Sequence, residues 1–418
     1  QGLTILTCMM KLLPMLAPDD RPRALYHGLS AVARDCAGAP PRLAVHPLPR
    51  AETDVATLKR WFRRLVEVRD SEGAERCIVS AVHTGATSSQ LADMLFAAAT
   101  DHRYIQIGHP LDFTNKALQA LDIAGWETER VETVLASLAM GYANADRMEE
   151  SNAWRNPIDL VALLETAFVK IPAALEQGRL SGPGHFPNGR ARLTPVLLGD
   201  DPQASIDALL QSLVEGASMA DLAGVVAYAA ALRIASFHTS NEFGDWDTAL
   251  HTFTFANAVH QGLRRVESVD LLRGVFDAAM SIYLDRFLNV PPARLPSPNG
   301  RANPEATLAD FAGLLNRQQQ VNEAGELVAQ YLYSDGNAPA LLATMGRLLL
   351  REDRDFHTIQ TVEAAFQQYD LLKGTPEAVH VLVAAARYLG AHSPTVRAQG
   401  QTYQIASRLA HGESLFEE

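Results

Sequence analysis

The hydrophobic positions of this chain recur at the spacing of an α-helix over most of its length. Leu91, Leu95 and Ala98 follow the i, i+4, i+7 pattern, and similar spacing recurs at 160–164 and 341–348. Alanine and leucine dominate these segments, while the alternating β-branched runs that are typical of strands are missing. The pattern therefore predicts an all-α fold, a multi-helix bundle without strands beyond a residue or two.

Two stretches interrupt the helical pattern. Residues 177–201 and 290–304 are rich in glycine and proline, which end helices by adding backbone freedom or by removing an N–H donor. We interpret the first as a surface loop and the second as a linker. They divide the chain into helical blocks at 1–176, 202–289 and 305–418, which we expect to pack into one compact unit.

A loose repetition of helix, link, histidine and second helix occurs four times. In each copy a short, acidic link leads to a histidine that the pattern places at the start of a helix: His27, His109, His251 and His357. After His109 and His251 the match extends further, with phenylalanine at +4 and asparagine at +6. We therefore predict a bundle of pseudo-repeated units, each with a histidine in its first helical turn.

Imidazoles that open four helices of one bundle could point into a common volume, because side chains lean toward the N-terminus of their helix. Helical bundles commonly build metal sites from facing helices, and neutral imidazole binds iron, zinc, copper and nickel. The positive end of the helix dipole disfavours a protonated ring, which keeps the imidazole able to bind a metal. The alternative is that each histidine is a capping or surface residue.

Two further histidines are candidate metal ligands. His102 lies seven residues before His109, although Gly108 and Pro110, on either side of His109, imply a break in the helix between the two histidines. His238 and Glu242 have the i, i+4 spacing that places two side chains on one helix face, a pattern found in carboxylate-bridged iron sites. The alternative for that pair is a hydrogen-bonded helix cap. Asp112 and Glu242 are the candidate carboxylates, as a further ligand or as a proton acceptor.

Composition narrows the class of protein. The net charge of −12 over 418 residues argues against a nucleic-acid partner, and the apolar runs are too short to predict a membrane span. Cys8, Cys36 and Cys77 form no CxxC pair, so a reducing, cytoplasmic setting is expected. The chain begins at Gln1 without a methionine, from which we expect a further segment to precede it.

Familiar catalytic signatures are missing from the sequence. It contains no GxSxG elbow, no Walker A motif and no glycine-rich dinucleotide turn after a strand. Residues 75–102 suggest a cofactor-free helical enzyme similar to the carboxymuconolactone decarboxylases, but the thiol pair of that group is not present. The histidines therefore remain the main candidates for chemistry.

Several segments resemble a known family. Residues 26–43, 102–113, 251–259 and 356–360 resemble the four sequence blocks of questin-oxidase-like proteins. The segments 149–164 and 245–260 more closely resemble a helical domain of bacterial proteins that carry a 2Fe–2S Rieske module. The chain itself has no Rieske cysteine–histidine pairs, so such a cluster would lie in a preceding segment or on a separate protein.

The resemblance implies an enzyme that uses molecular oxygen on an aromatic, polyketide-like molecule, with a non-haem iron held mainly by histidines. Carried over by position, three of the ligands would be His27, His251 and His357. In the second block the histidine of the family corresponds to Gln106, so His102 or His109 would take its place. The lysine of the family, which can become a carbamate ligand, corresponds to Gln360.

The sequence thus favours a cytoplasmic oxidoreductase that binds iron, or another divalent transition metal, and acts on an aromatic small molecule with O2. A Rieske protein or ferredoxin would be the electron donor. The alternative is a helical accessory or scaffold domain without enzymatic activity that works beside a Rieske iron–sulfur partner. The substitutions at Gln106 and Gln360 favour this alternative.

Overall fold

The fold is described from a computed structural model, which covers residues 1–40, 45–49, 53–182, 186–298 and 303–414. The predicted all-α class is confirmed, because these residues form helices joined by turns and loops and none of them lies in a strand. Among the described residues, no helix is both long enough and apolar enough to cross a membrane.

The helices are mostly two to six turns long. In the first half of the chain they are α1 (Gly2–Leu12), α2 (Arg21–Cys36), α3 (Val55–Glu67), α4 (Ser71–His83), α5 (Ser88–Ala99), α6 (His109–Ala124), α7 (Thr128–Ala136), α8 (Ala139–Ala143), α9 (Asn152–Arg155), α10 (Leu160–Ser181), α11 (Gly189–Leu197) and α12 (Pro202–Val214). In the second half they are α13 (Met219–Ala235), α14 (Phe243–Arg265), α15 (Val269–Leu284), α16 (Pro304–Leu314), α17 (Val321–Tyr333), α18 (Ala338–Arg351), α19 (Phe356–Leu372), α20 (Glu377–Ala391) and α21 (Ala398–Ala410). Short 3-10 turns lie at Leu13–Met15, Pro18–Asp20, Ile105–Gly108, Met148–Glu150 and Asp285–Asn289.

Side-chain caps define where many helices begin. Asp54, Asp159 and Asp355 each precede a helix and accept the backbone N–H three residues further on, at α3, α10 and α19. Thr87 and Gln90 form a reciprocal capping box at α5. These acceptors satisfy N–H groups that the first helical turn leaves without an intrahelical partner. Asp355, in the acidic link before His357, therefore caps α19.

The chain divides into two compact units. The first consists of residues 1–39, 231–250 and 288–418, and the second of residues 40–230 and 251–287. In the first unit α1 packs along α2, and a Cβ atom on Gly28 would lie 2.7 Å from the side chain of Leu6 and 2.9 Å from its Cα. In the second unit α3 packs on α4 and α10 packs on α12. The division into three successive blocks stays a prediction.

The two interruptions of the helical pattern have different structures. Within 177–201, α10 continues to Ser181 and α11 occupies Gly189–Leu197, so the region is only partly a loop. Residues 183–185 lie outside the described residues. The segment 290–298 is irregular, residues 299–302 lie outside the described residues, and α16 begins at Pro304, so the linker stays a prediction.

Only two of the four histidines predicted to open a helix do so. His109 is the first residue of α6, and His357 is the second residue of α19. His27 lies inside α2 and His251 lies inside α14, so the prediction was wrong for these two. The acidic residues before His251, which were expected to form a link, lie in α14 instead. Acidic side chains are favourable in a first helical turn and therefore do not indicate a link. The helix-dipole argument therefore applies only to His109 and His357.

Candidate metal centre

A left-handed turn places His109 at the start of α6. Tyr104, Gln106 and Ile107 have φ angles of 47°, 46° and 50°, and Gly108 has a φ of 91°. Residues other than glycine rarely adopt positive φ, least of all β-branched ones, and each such residue costs about 1–3 kcal/mol. The surrounding structure must therefore hold this turn in place.

Hydrogen bonds at Gln106 hold the turn. The backbone N–H of Gln106 donates to the carbonyl oxygen of Asp146 over 2.8 Å, and the N–H of Asp146 donates to Gln106 Oε1, also over 2.8 Å. The ring of Tyr104 packs edge-on against Phe255, with 5.1 Å between ring centroids. The position that the family resemblance assigned to a ligand histidine thus holds a residue that stabilises the backbone before His109.

Gly108 is required on two grounds. Its φ angle lies in the region that favours glycine, and a Cβ atom added to it would lie 2.8 Å from the Cβ of Phe255. The close contact brings the start of α6 against α14 within the second unit. A larger side chain at this position would displace His109 from α14.

One hydrogen bond determines the tautomer of His109. The Nδ1 atom lies 2.9 Å from the carbonyl oxygen of Gln106, which can only accept a hydrogen bond. Nδ1 of the neutral ring therefore carries the proton, and the lone pair that can bind a metal is on Nε2. A backbone carbonyl on the far side of a ligand imidazole is a common arrangement at metal sites, because it orients the ring and raises its basicity.

His251 lies next to His109. The centroids of the two rings are 4.9 Å apart at an interplanar angle of 71°, and His251 is buried. The ring of Phe113, one turn along α6, contacts His109, and the two ring centroids are 5.4 Å apart. Of the two phenylalanines at +4, Phe113 therefore packs against His109, while Phe255 packs against the turn before it.

His357 completes a cluster of three histidines. One ligand atom from each of His109, His251 and His357 lies within 4.8 Å of the other two. Of the three, His251 is buried and the others are partly exposed. All three are among the metal ligands that the sequence predicted.

The donor set suits a divalent transition metal. A zinc–imidazole bond is about 2.0–2.1 Å long, so the nitrogens of a tetrahedral site lie about 3.3 Å from one another. Ligand atoms within 4.8 Å approach that spacing after small side-chain rotations. Three imidazoles suit iron, zinc, copper or nickel and leave coordination positions open. Asp112 is buried one turn along α6 from His109 and is the carboxylate nearest to His109 in the sequence.

His27 is not a member of this cluster. It is 4% exposed, and its Nε2 atom has no hydrogen-bond partner among the described residues. Burial lowers the pKa of His27 to about 4, with a smaller contribution from Arg23. The imidazole is therefore neutral at pH 7, as a ligand would be, but it belongs to no group of potential ligands in the part of the chain that the structure describes.

His102 contacts two carboxylates instead of the cluster. Its Nδ1 lies 2.6 Å from Glu149 Oε1, and its Nε2 lies 2.9 Å from Glu67 Oε2. The neighbouring Arg103 forms a buried ion pair with Asp277 over 3.0 Å, and burial raises the pKa of that aspartate to about 7. Of the two histidines proposed to replace the missing ligand, His109 rather than His102 lies in the cluster.

His238 and Glu242 do not share a helix face. Both lie in the loop between α13 and α14, so the helical spacing assumed for them was wrong. His238 Nε2 donates to the carbonyl oxygen of Pro291 over 3.1 Å, and its Nδ1 accepts from the hydroxyl of Ser240 over 2.8 Å. Glu242 is exposed, and its N–H donates to Asp245. His238 therefore orders the loop, and the alternative of a hydrogen-bonded cap stays a prediction.

Sequence reasoning missed the part that Gln106, Asp146 and Gly108 take in the site. The glycine and proline on either side of His109 marked a break in the helix, but not a left-handed one. Comparison of the chain with protein-family models, with curated proteins and with solved structures finds no match.

Proposed function

We propose that this chain is a metal-dependent oxidoreductase whose metal ligands are His109, His251 and His357. The observation that carries the proposal is the approach of three imidazole ligand atoms to within 4.8 Å of one another. The donor set supports any divalent transition metal. Iron is proposed first because of the resemblance to questin-oxidase-like proteins, which also suggests O2 and an aromatic substrate.

The residues of the chain would have distinct roles in such a centre. The carbonyl of Gln106 holds the proton of His109 on Nδ1, so that Nε2 faces the cation. Asp112, buried one turn along α6, is the proposed fourth ligand or the acceptor of a proton from a phenolic substrate. A bound iron would supply electron transfer to oxygen. A Rieske protein or ferredoxin of the cytoplasm is the proposed electron donor.

Metal analysis of the purified full chain tests the proposal. We expect about one equivalent of iron after expression with iron, and loss of most of it in each of the variants His109→Ala, His251→Ala and His357→Ala. His411→Ala, at the exposed end of α21, is the matched control and should keep the metal. Zinc in place of iron would support the centre but contradict the oxygen chemistry.

The accessory-domain alternative makes the opposite prediction. Gln360, at the position of the ligand lysine of the family, is buried and its Nε2 has no hydrogen-bond partner among the described residues. An amide here is a neutral group that cannot form the carbamate. Protein that binds no transition metal, with unchanged stability in the three variants, would support a scaffold and overturn the enzyme.

A further inference from the structure

A cavity of about 410 Å³ lies beside the start of α19 in the first unit. Its walls are the residues before α19, the segment 391–395 after α20, the turn at Gln318 and Gln319, and Phe243 at the start of α14. This volume is within the range of small-molecule sites. Neither the histidine cluster nor the family resemblance assigns it a role.

Arg354 gives the cavity a buried positive charge. Its side chain is 8% exposed, and its two Nη atoms donate to the carbonyl oxygen of His392 and to Ser393 Oγ, which are both uncharged. Its Nε has no hydrogen-bond partner among the described residues, and no carboxylate there lies within 4.0 Å of the guanidinium. Burial lowers the pKa of Arg354 to about 10, which still leaves it charged at pH 7.

The acidic residues nearby, of which Asp353 and Asp355 also line the cavity, are already engaged. Asp355 accepts a backbone N–H at the start of α19, and Asp353 accepts two at the start of α21. Glu352 is fully buried and is paired with two other arginines. Because buried charges in proteins are normally paired, a buried arginine that lines a cavity without a carboxylate contact favours an anionic ligand.

Aromatic rings form the other recognition element. His392 donates from Nδ1 to the carbonyl oxygen of Tyr388 over 2.8 Å and stacks on the ring of Tyr388 at 4.2 Å. Phe243 lies edge-on to His392 at 5.8 Å and is 68% exposed, which is unusual for phenylalanine. A planar group in the cavity would cover this exposed ring.

We propose that this cavity binds a small organic carboxylate with an aromatic body. The carboxylate pairs with the guanidinium of Arg354 and accepts a hydrogen bond from it, while the ring of the ligand packs against Phe243 and His392. A charge-assisted hydrogen bond of this kind is about twice as strong as one between neutral groups. The proposal does not depend on the metal centre.

Calorimetric titration of the full chain with benzoate tests the site. We expect saturable binding of benzoate, and binding at least about tenfold weaker for benzamide, which lacks the charge, and for acetate, which lacks the ring. Arg354→Gln should weaken benzoate binding at least about tenfold, and Phe243→Ala about threefold. Arg347→Gln is the control and should bind benzoate as the unmodified chain does, because Arg347 is an exposed arginine of α18 that pairs with Asp20.

The ligand series and Phe243→Ala keep the test decisive if Arg354→Gln disturbs the segment 391–395. Equal affinity for benzoate, benzamide and acetate would overturn the proposal, as would the absence of saturable benzoate binding. Unchanged affinity in a folded Arg354→Gln variant would do the same. The His251→Ala variant, in which the metal ligands are incomplete, is expected to bind benzoate normally, so failure of the metal proposal would leave this result intact.

Discussion

At the scale of single residues, the environment of each histidine determines what its ring can do. His109 donates from Nδ1 to a backbone carbonyl, His102 contacts carboxylates with both nitrogens, and His238 orders a loop. His27 is buried without a partner for Nε2 among the described residues. The sequence presents all four histidines as candidate metal ligands. Their hydrogen-bonding partners in the structure distinguish His109 from the other three.

His27 should make folding stability depend on pH. Its pKa is lowered from 6.5 to about 4 on folding, so its contribution is present above pH 6.5 and is lost as the pH falls toward 4, where the unfolded chain binds the proton first. When the pH is lowered from 7.5 to 5, the titration of this residue should decrease the free energy of unfolding by about 2 kcal/mol. Urea unfolding of the chain and of His27→Asn at both pH values measures the difference.

The control for that experiment is His411→Asn, since His411 is exposed. It should lose as much stability between pH 7.5 and pH 5 as the unmodified chain. If His27→Asn shows the same pH dependence as the unmodified chain, the buried, neutral state of His27 is wrong.

The tautomer of His109 can be observed without any metal. Nitrogen-15 correlation spectra of the side chain should place the proton on Nδ1, because the carbonyl of Gln106 accepts it. Gln106→Ala keeps the backbone carbonyl but removes the side-chain acceptor for the N–H of Asp146, which loosens the turn that positions that carbonyl. We therefore expect a mixture of tautomers and a loss of about 1 kcal/mol in stability. Gln203→Ala, on α12, is the control. A proton on Nε2 in the unmodified chain would contradict the assignment.

At the scale of elements, a strained turn orients the first residue of a helix. Three residues with positive φ other than glycine precede α6, and strain of this kind persists only where other contacts compensate for it. Here the exchange of hydrogen bonds with Asp146 and the packing of Tyr104 on Phe255 supply that compensation. The start of α6 is therefore set by contacts to α14 and to the segment before α9, and not by a capping side chain.

Replacement of Gly108 by alanine should disturb this arrangement. The new Cβ would lie 2.8 Å from the Cβ of Phe255 and would require a positive φ, so we expect a loss of about 2–4 kcal/mol in unfolding free energy. Gly85→Ala is a matched control, because Gly85 has a φ of 78° but no atom within 4 Å of a new Cβ. Its loss should be about 1 kcal/mol, due to backbone strain alone. Equal losses in the two variants would show that the contact with Phe255 is unimportant.

At the scale of the whole molecule, the three candidate ligands belong to α6, α14 and α19, which are far apart in the sequence. A site of this kind exists only in the folded chain, so its ligand binds the native state in preference to the unfolded state. Metal binding and folding stability are then coupled.

Addition of metal should therefore stabilise the chain against unfolding. Free Fe(II) or Zn(II) at a hundred times its dissociation constant should raise the unfolding free energy by about 2.7 kcal/mol. Thermal unfolding with and without the metal measures this, and a chelator should reverse it. His251→Ala should abolish the stabilisation while His411→Ala retains it; equal stabilisation of both variants would indicate binding elsewhere.

The helical fold could be predicted from the sequence because periodicity is a local property. The spacing of Leu91, Leu95 and Ala98 is visible in the chain and matches a buried helix, α5. Helix starts were less predictable, since acidic residues before a histidine are compatible both with a link, as at Asp355, and with a first helical turn, as at Asp245. His357 was therefore placed correctly and His251 was not.

The sequence by itself determined the all-α class, the histidines that could bind a metal and the irregular segment before α16, because all of these depend on residues close together in the chain. Only the tertiary structure decided which imidazoles meet, that Gln106 holds a left-handed turn against Asp146, and that Arg354 is buried without a carboxylate contact among the described residues. These features depend on contacts between segments distant in sequence, where backbone direction and burial select among side chains that the sequence presents as equivalent.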